Sequence, residues 1–455
     1  MVWFNTFDIE QATSGLSSER GDSMSLTQRK VDVVIVGGGP AGLACAIALA
    51  KRRLFVTVVD KKQWPIDKVC GEGLMPCGVE TLDRMGIFEQ IDHDSLRAFY
   101  GIRWICDQGA IAQANFDSGV GYGIRRTGLS DALYKAAQDS PYVTLMESTQ
   151  LLAIESFESH VDIKLRGIDG QFGMKAAVVI GADGRNSKVR KLLKLDGSPA
   201  VRDKRWGARQ HFQVTPWTNH VEVYWSNGIE AYVTPSSESR VEVAFLWDKS
   251  RFKPARAGRN LMSVLLKNFP QLERRVSGCK TVSNQQATGP LAVQAKVATQ
   301  DRTILLGDAL GYVDGITGEG LSVALQQAEV VAHELPILVR TNRLGADDLS
   351  GLGRRIFRIY WKSVRMVKLA LVLARVPLLR RLAIRGLSRS PGLLTHFLEA
   401  NMGKRAVWKL PLQHVPAFLA GLVMPLRSQG QNRLENTARA LGHEQSGATR
   451  TLDLS

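Results

Sequence analysis

Three glycines, Gly37, Gly39 and Gly42, stand in the order G-x-G-x-x-G, with Pro40 and Ala41 completing GGGPAG. The run VDVVIV (31–36) precedes them and the alanine-rich PAGLACAIALAKRR (40–53) follows. The first run reads as a strand buried on both faces of a parallel sheet, the second as a helix. In this setting the first glycine makes the turn, the second lets backbone approach a pyrophosphate, and the third lets helix and strand pack closely. The helix start adds unpaired N–H groups and the positive end of its dipole. FVTVVD (55–60) reads as a second strand and ends on Asp60, placed to accept the hydroxyls of an adenosine ribose. A tight turn without a ligand would not require strand, helix and acid in this register.

A second stretch, VCGEGLMP (69–76), sets Gly71 directly after Cys70 and flanks Glu72 with Gly71 and Gly73. Such glycines allow close approach and unusual backbone angles. Cys70 reads either as a proton donor that shapes the substrate side or as a small buried hydrophobe. Glu72 reads as a general acid if buried and as a solvated loop charge if not.

The elements that must carry these residues follow from periodicity. Helical spacing returns at 78–85, strand-like alternation fills 98–115, and RRTGLSDALYKAA (125–137) is helical. Strands dominate 142–180. The section 206–247 alternates strongly and reads as an antiparallel sheet with one face on a core and the other open to a ligand. RTILLGDA (302–309) returns to a strand, and 320–337 to a helix.

Two further strings sit at strand ends: GADGRNSKVR (181–190) and LLGDALGYVDGITGEGL (305–321). With the glycine turn and the R-x-x-L of Arg126 to Leu129, the stretch from about 30 to 335 resembles the flavoprotein superfamily of the aromatic hydroxylases and geranylgeranyl reductases. The resemblance implies FAD, with Asp308 on its ribityl chain, Asp183 and Gly184 near its pyrophosphate, and Arg126 in the same region. Gly318, Glu319, Gly320 and Leu321 then open a helix whose backbone N–H groups can face the negative charge of reduced flavin.

Within the superfamily, DKVCGEGLMP stands where the reductase branch carries K-x-C-G-G-G, and Gly311 fits its G-D-A-A-G form. Glu72 replaces the middle glycine, and Gly315 stands where proline is frequent. EAYVTP (230–235) keeps the proline, Pro235, but offers Tyr232 and Thr234 where the reductases show Trp and Phe, and these three are the candidate substrate residues. There is no halogenase-like W-x-W-x-I-P. GLGRRI (351–356) lacks a preceding strand and a third glycine, so an NAD(P)H donor binds without its own Rossmann unit or the electrons come from another carrier.

The chain has 455 residues, enough for two domains and an extension. Five scattered cysteines argue against a disulfide framework, and no His/Cys spacing predicts a metal site. Of the net charge of +16, most lies in 351–410, where fourteen lysines and arginines face a single acid, Glu399. That local excess does not point to nucleic acid. From Arg354 to Arg375 the basic residues share one helical face, which suits contact with an anionic membrane surface or a packed helix with a solvated face. No apolar run is long enough to span a bilayer; VPAFLAGLVMPL (415–426) is short and bracketed by prolines.

The predicted architecture is α/β: a Rossmann-type FAD-binding domain (29–200 and 296–340), an inserted antiparallel-sheet substrate domain (201–295), and a basic C-terminal helical extension (341–427). A disordered leader (1–28), with Met24 as an alternative start, and a disordered tail (428–455) flank it. The expected function is FAD-dependent oxidation–reduction of a lipophilic molecule, with reduction of an isoprenoid-type C=C bond leading. The alternatives are NAD(P)H- and O2-dependent hydroxylation of a polyketide, quinone or aromatic lipid, and a flavin-bearing binding protein without turnover. The expected location is cytoplasmic, peripheral at the inner membrane face.

Overall fold

A computed structural model describes residues 31–107, 109–199, 204–254 and 260–423. The leader, Met24 and the tail from 428 lie outside the described residues.

The apolar run Val31–Val36 is the centre of an eight-stranded sheet. It pairs in parallel with Val56–Val59 on one side and with Gly170–Gly181 on the other. Val143–Met146 and Thr303–Leu305 extend the parallel arrangement outward. A strand paired on both edges and covered on both faces must be apolar at consecutive positions, which is why Val33, Val34 and Ile35 are all fully buried. Helix Pro40–Ala50 follows the first strand and packs on Gly320–Arg340. The strand needed to complete the sheet thus arrives about 120 residues after Gly181, at Thr303.

The long insertion forms a seven-stranded sheet in the order Gln286–Thr288, Arg205–Gln213, Arg240–Asp248, Ile229–Ser237, Val221–Trp225, Gly101–Cys106, Ile111–Asn115. Two details differ from the sequence reading. The strands at 101–115 fall in the stretch assigned to the cofactor domain, yet they pair with the second sheet. The joint between Val221–Trp225 and Gly101–Cys106 is parallel, so the sheet is not wholly antiparallel. One face packs Val233, Val243 and Phe245 against the short helices Leu261–Leu266 and Pro270–Val276. The other face looks toward the cofactor domain.

Among the described residues the C-terminal extension has four α-helices, Ala346–Arg375, Pro377–Arg389, Pro391–Asn401 and Val415–Val423. Their apolar sides are packed. Ile356, Tyr360, Val364, Val367 and Leu371 are buried, while Arg354, Arg358, Arg365 and Lys368 stay exposed. The first helix therefore packs its apolar side and leaves a basic face exposed, and GLGRRI is part of it. Gly311 explains one contact: a Cβ there would strike the ring of Tyr360, so its absence lets this helix seat on the G-D-A-L-G turn.

Candidate active site

The glycine turn is built as its spacing requires. Gly37 has φ +109°, and a side chain on it would collide with the Ala182 backbone of the adjacent strand. A Cβ on Gly42 would meet the Gly37 carbonyl. Both residues therefore serve packing. Gly39 is different, because a Cβ there meets nothing within 4 Å.

Asp60 holds this turn. Its Oδ2 accepts from the Gly38 N–H at 2.7 Å and its Oδ1 from the Lys62 N–H at 2.8 Å. Each oxygen keeps a lone pair for a ribose hydroxyl. Trp64, absent from the sequence reading, donates its indole N–H to the Gly38 carbonyl at 2.8 Å and stacks on Tyr134.

A cavity of about 440 Å³ runs from this turn between the two sheets. At one end it is lined by Gly39, Pro40 and Ala41, by Gly184 and by Asp308. Gly318, Gly320 and Leu321 line it at the start of the helix Gly320–Arg340, and Arg126 reaches it from the start of Arg126–Gln138. Four segments far apart in sequence thus converge as expected from their motifs.

Two predicted cofactor residues are placed differently. Asp183 is turned to the helix Lys188–Leu192, where its Oδ2 accepts from the Lys188 and Val189 N–H groups at 2.6 and 3.2 Å. Its other oxygen is buried without a hydrogen-bond partner among the described residues. Glu319 does not line the cavity; its carboxyl is buried beside Ser363 and Lys362 of the C-terminal extension.

Burial pushes the Glu319 carboxyl up to about 8, against the opposing hydrogen bond from Ser363 and the charge of Lys362. The folded protein then holds a proton that the unfolded chain releases near 4.5, so stability is full below pH 4.5 and is lost as pH rises to about 8. Glu319→Gln should raise Tm at pH 8 and change it little at pH 4.5, which thermal unfolding at the two pH values checks.

Asp308 is paired with Lys68, whose Nζ lies 2.5 Å from Oδ2. Burial pushes this carboxyl up, but Lys68, with Arg185 and Arg126, outweighs burial and holds it below the usual carboxylate range. Lys68 also comes near Gly184, so its ammonium lies across the cofactor end of the cavity. Its place three positions after Pro65 gave no spacing signal; only the fold joins residues 240 apart.

The loop around Cys70 closes the middle of the cavity. Cys70 is half-buried and lines it. Thr234 pins the loop by donating to the Gly71 carbonyl at 2.9 Å. Glu72, at φ +50°, is buried, so it is not a solvated charge. Its Oε1 accepts from the Arg126 N–H at 2.8 Å, at the start of a helix, and its Oε2 lies 2.7 Å from His211 Nε2. Arg209 and Glu242 complete a fully buried polar group on the facing sheet. Arg209 pairs with Asp67 of the same loop and approaches Glu242 to 3.6 Å.

Glu72, His211 and Glu242 bring ligating atoms within 4.8 Å of one another, a grouping that the sequence spacing did not predict. Both Glu72 oxygens are already engaged and the Arg209 guanidinium supplies the positive charge, so the cluster suits proton sharing better than a cation.

The far end of the cavity is apolar. Tyr232 and Thr234 line it, whereas Pro235 does not: its carbonyl packs where a Cβ on Gly123 would sit. Tyr232 Oη donates to the Ile316 carbonyl at 3.4 Å. Beyond them come Met366, Leu373, Leu394, Phe397 and Phe418 of the C-terminal helices. The extension is thus a wall of the site, which its charge pattern did not disclose.

The family described as FAD binding domain matches residues 30–343. The chain belongs to this family. The residues fit FAD: the space at Gly39 is open, the Asp308 carboxylate faces the cavity, and helix N–H groups border it. Menaquinone reductase of Mycolicibacterium smegmatis is 27% identical over 67% of this chain and 76% of its own length. Squalene epoxidase erg1 of Aspergillus fumigatus is 23% identical over 80% of this chain and 78% of its own. Ubiquinone hydroxylase UbiL of Rhodospirillum rubrum is 25% identical over 85% and 92%.

Among solved structures, a flavoprotein/dehydrogenase from Cytophaga hutchinsonii superposes with TM-score 0.72 at 18% identity, covering 92% of this chain and all of its own. The halogenase PltM in complex with phloroglucinol and FAD gives 0.69 at 15%, covering 92% of this chain and 93% of its own. At these identities the structures share the fold. The protein is an FAD-dependent oxidoreductase, which sets aside the non-catalytic binding protein. No described helix is long and apolar enough to cross a membrane.

Proposed function

We propose that this oxidoreductase acts on a polyisoprenoid lipid and reduces a C=C bond of its chain. The observation that carries the reading is the single cavity that joins the cofactor end at Gly39 and Asp308 to an apolar wall at Leu373, Leu394 and Phe397. Two relatives bear names of lipid quinones, menaquinone and ubiquinone, and a third that of squalene, a polyisoprenoid. The loop in which Cys70 is followed by Gly71 and Gly73 supports the reductase branch.

Bound FAD supplies the hydride, and it is recharged by NAD(P)H or another two-electron donor. The chain's own part is to exclude water from one end, to hold the lipid against Tyr232 and Thr234, and to deliver a proton to the second carbon. Cys70, which lines the cavity, is the donor in this reading. Cys70→Ser is nearly isosteric, so expression and FAD content should stay at wild-type level while turnover falls by about a hundredfold, as for loss of a placed acid. Unchanged turnover would return Cys70 to a packing role.

Hydroxylation is the second reading, favoured by the near full-length match to the ubiquinone hydroxylase. Anaerobic mixing of reduced holoenzyme with a polyprenyl phenol, whose ring is not itself an electron acceptor, separates the two when followed at the flavin absorbance. Reoxidation by lipid alone supports reduction. Reoxidation only after oxygen is admitted, and faster with lipid, supports hydroxylation.

The lipid reaches the site from a membrane. The exposed Arg358, Lys362, Arg365 and Lys368 lie on the helix whose Met366 and Leu369 line the cavity, and Trp408, Leu412 and Val423 are more than three-quarters exposed nearby in the chain. Each basic residue at an anionic surface contributes about 1 kcal/mol, screened over about 10 Å at 0.1 M salt. The protein should sediment with anionic vesicles at low salt and less at high salt. Changing the four basic residues to Gln should reduce sedimentation; equal sedimentation of both proteins would remove this helix as the anchor.

A further inference from the structure

A second cavity of about 400 Å³ lies at the edge of the seven-stranded sheet, and its walls are polar: Gln210, Ser263, Ser283 and Asn284, with Asn260 and Thr281 at an exposed rim. Nothing in the reaction described so far uses it. Yet Ser283 joins it to the main cavity through a chain of hydrogen bonds. Ser283 Oγ accepts from the His211 backbone N–H at 3.0 Å, and its hydroxyl lies 2.9 Å from His211 Nδ1. Arg209 Nη1 lies 3.1 Å from the same Nδ1 and can only donate. Nδ1 is therefore the acceptor, and the ring carries its proton on Nε2, which donates to Glu72 Oε2 at 2.7 Å. Glu72 lines the main cavity beside Cys70.

We propose that Ser283, His211 and Glu72 form a proton inlet that supplies the main cavity from the polar one. This rests on the reading that a lipid fills the main cavity. FAD and lipid together displace water there, and the far walls are apolar, so protons need an entry through the protein. His211 is fully buried, with ligands on both ring nitrogens, the arrangement that takes a proton in at one nitrogen and gives one up at the other.

The transfers balance without an oxidant or reductant. Water in the polar cavity gives a proton to Ser283 Oγ as the hydroxyl passes its own to Nδ1. Nε2 passes its proton to Glu72, which releases one toward the main cavity. Reorientation of the hydroxyl and the ring resets the chain.

The surroundings suit a neutral shuttle. His211 faces Glu72 from the Cys70 loop, Arg209 on its own strand, Glu242 on the next strand, and Arg125 before the helix Arg126–Gln138. Burial lowers His211, while Glu72 opposes. Glu242 is fully buried, and neither of its oxygens has a hydrogen-bond partner among the described residues. Burial, then Glu72 and Cys70, push its carboxyl well above the ordinary range, against Arg209 and Arg125, so it keeps its proton.

The test uses FAD-loaded protein filled with squalane, a saturated polyisoprenoid that cannot be reduced. Anaerobic flash photoreduction of the flavin takes up a proton, and a pH-indicator dye reads the rate. His211→Gln keeps an N–H for Glu72 and an oxygen for Arg209 but cannot pass a proton on; uptake should slow by about a hundredfold. Ser283→Ala touches neither Glu72 nor the cofactor and should slow it as well, with unchanged flavin content. It keeps the test open if the histidine variant fails to fold. Uptake at the wild-type rate in Ser283→Ala, or in folded His211→Gln, would overturn the inlet and leave these groups as packing. No lipid is converted, so an error in the assigned reaction does not affect the outcome.

Discussion

Gly39→Val gives a folded protein that purifies without FAD. The expectation follows from the contrast between the three glycines. A side chain on Gly37 or Gly42 strikes backbone, so those variants lose the fold together with the cofactor. A side chain on Gly39 meets nothing within 4 Å, so the folded chain accommodates it. The space it fills is the end of the cavity that a pyrophosphate must enter to reach the helix Pro40–Ala50. Loss of these backbone contacts, at about 3 kcal/mol, weakens binding by roughly a hundredfold. Flavin absorbance relative to protein, with circular dichroism as the control for folding, reads both halves. Stoichiometric flavin in this variant would contradict the placement of the cofactor.

Arg205→Ala should be the most destabilising single change. Arg205 joins the second sheet to the loop that leads into Gly315 and Gly318. Its Nη2 donates to Glu230 at 2.5 Å and its Nε to Asp314 at 2.8 Å, and all three side chains are buried. Asp314 in turn accepts from the Ile316 N–H at 3.0 Å, so the guanidinium fixes the backbone that borders the cavity. Removing it leaves two buried carboxyls without their countercharge, at a cost of about 3–5 kcal/mol and a fall in Tm of roughly 10 °C.

Burial already pushes Glu230 up against the pull of Arg205. Without the arginine the folded variant must hold extra protons, so its stability falls further as pH rises and approaches wild type at acidic pH. Thermal melts across pH check the sign. A Tm within a degree or so of wild type at neutral pH would show that the triad is not strained by the loss.

Local rules were enough where chemistry follows a strand end. The glycine turn, the G-D string with Asp308 and the opening of the helix at Gly320 each announce themselves within about ten residues, because backbone geometry and ligand contact are set by neighbours. Pairings across the fold were not legible. Lys68 meets Asp308 over 240 positions and Glu72 meets His211 over 139. Glu72 looked ambiguous because its burial depends on the strand Arg205–Gln213 lying over it. Tyr232 and Thr234 alternate toward the cavity, but Pro235 follows the opposite pleat, so the string EAYVTP could not all line one pocket. The strands at 101–115 carry the same alternation in either sheet, and only pairing decides between them. The basic stripe of 354–375 was visible, whereas the use of its apolar side as a wall of the cavity depends on which surface the helix meets.

The central claim is that one cavity brings FAD and a polyisoprenoid chain together for C=C reduction. Its most direct test is a single anaerobic turnover of photoreduced holoenzyme with a polyprenyl phenol, whose ring takes up no electrons, followed by mass spectrometry of the extracted lipid. The account predicts a lipid that has gained two hydrogens in its chain, both of them deuterium when photoreduction and turnover are run in heavy water, because the N–H hydrogens of reduced flavin exchange with solvent. Lipid recovered unchanged without oxygen, and carrying one added oxygen atom once air is admitted, would contradict it.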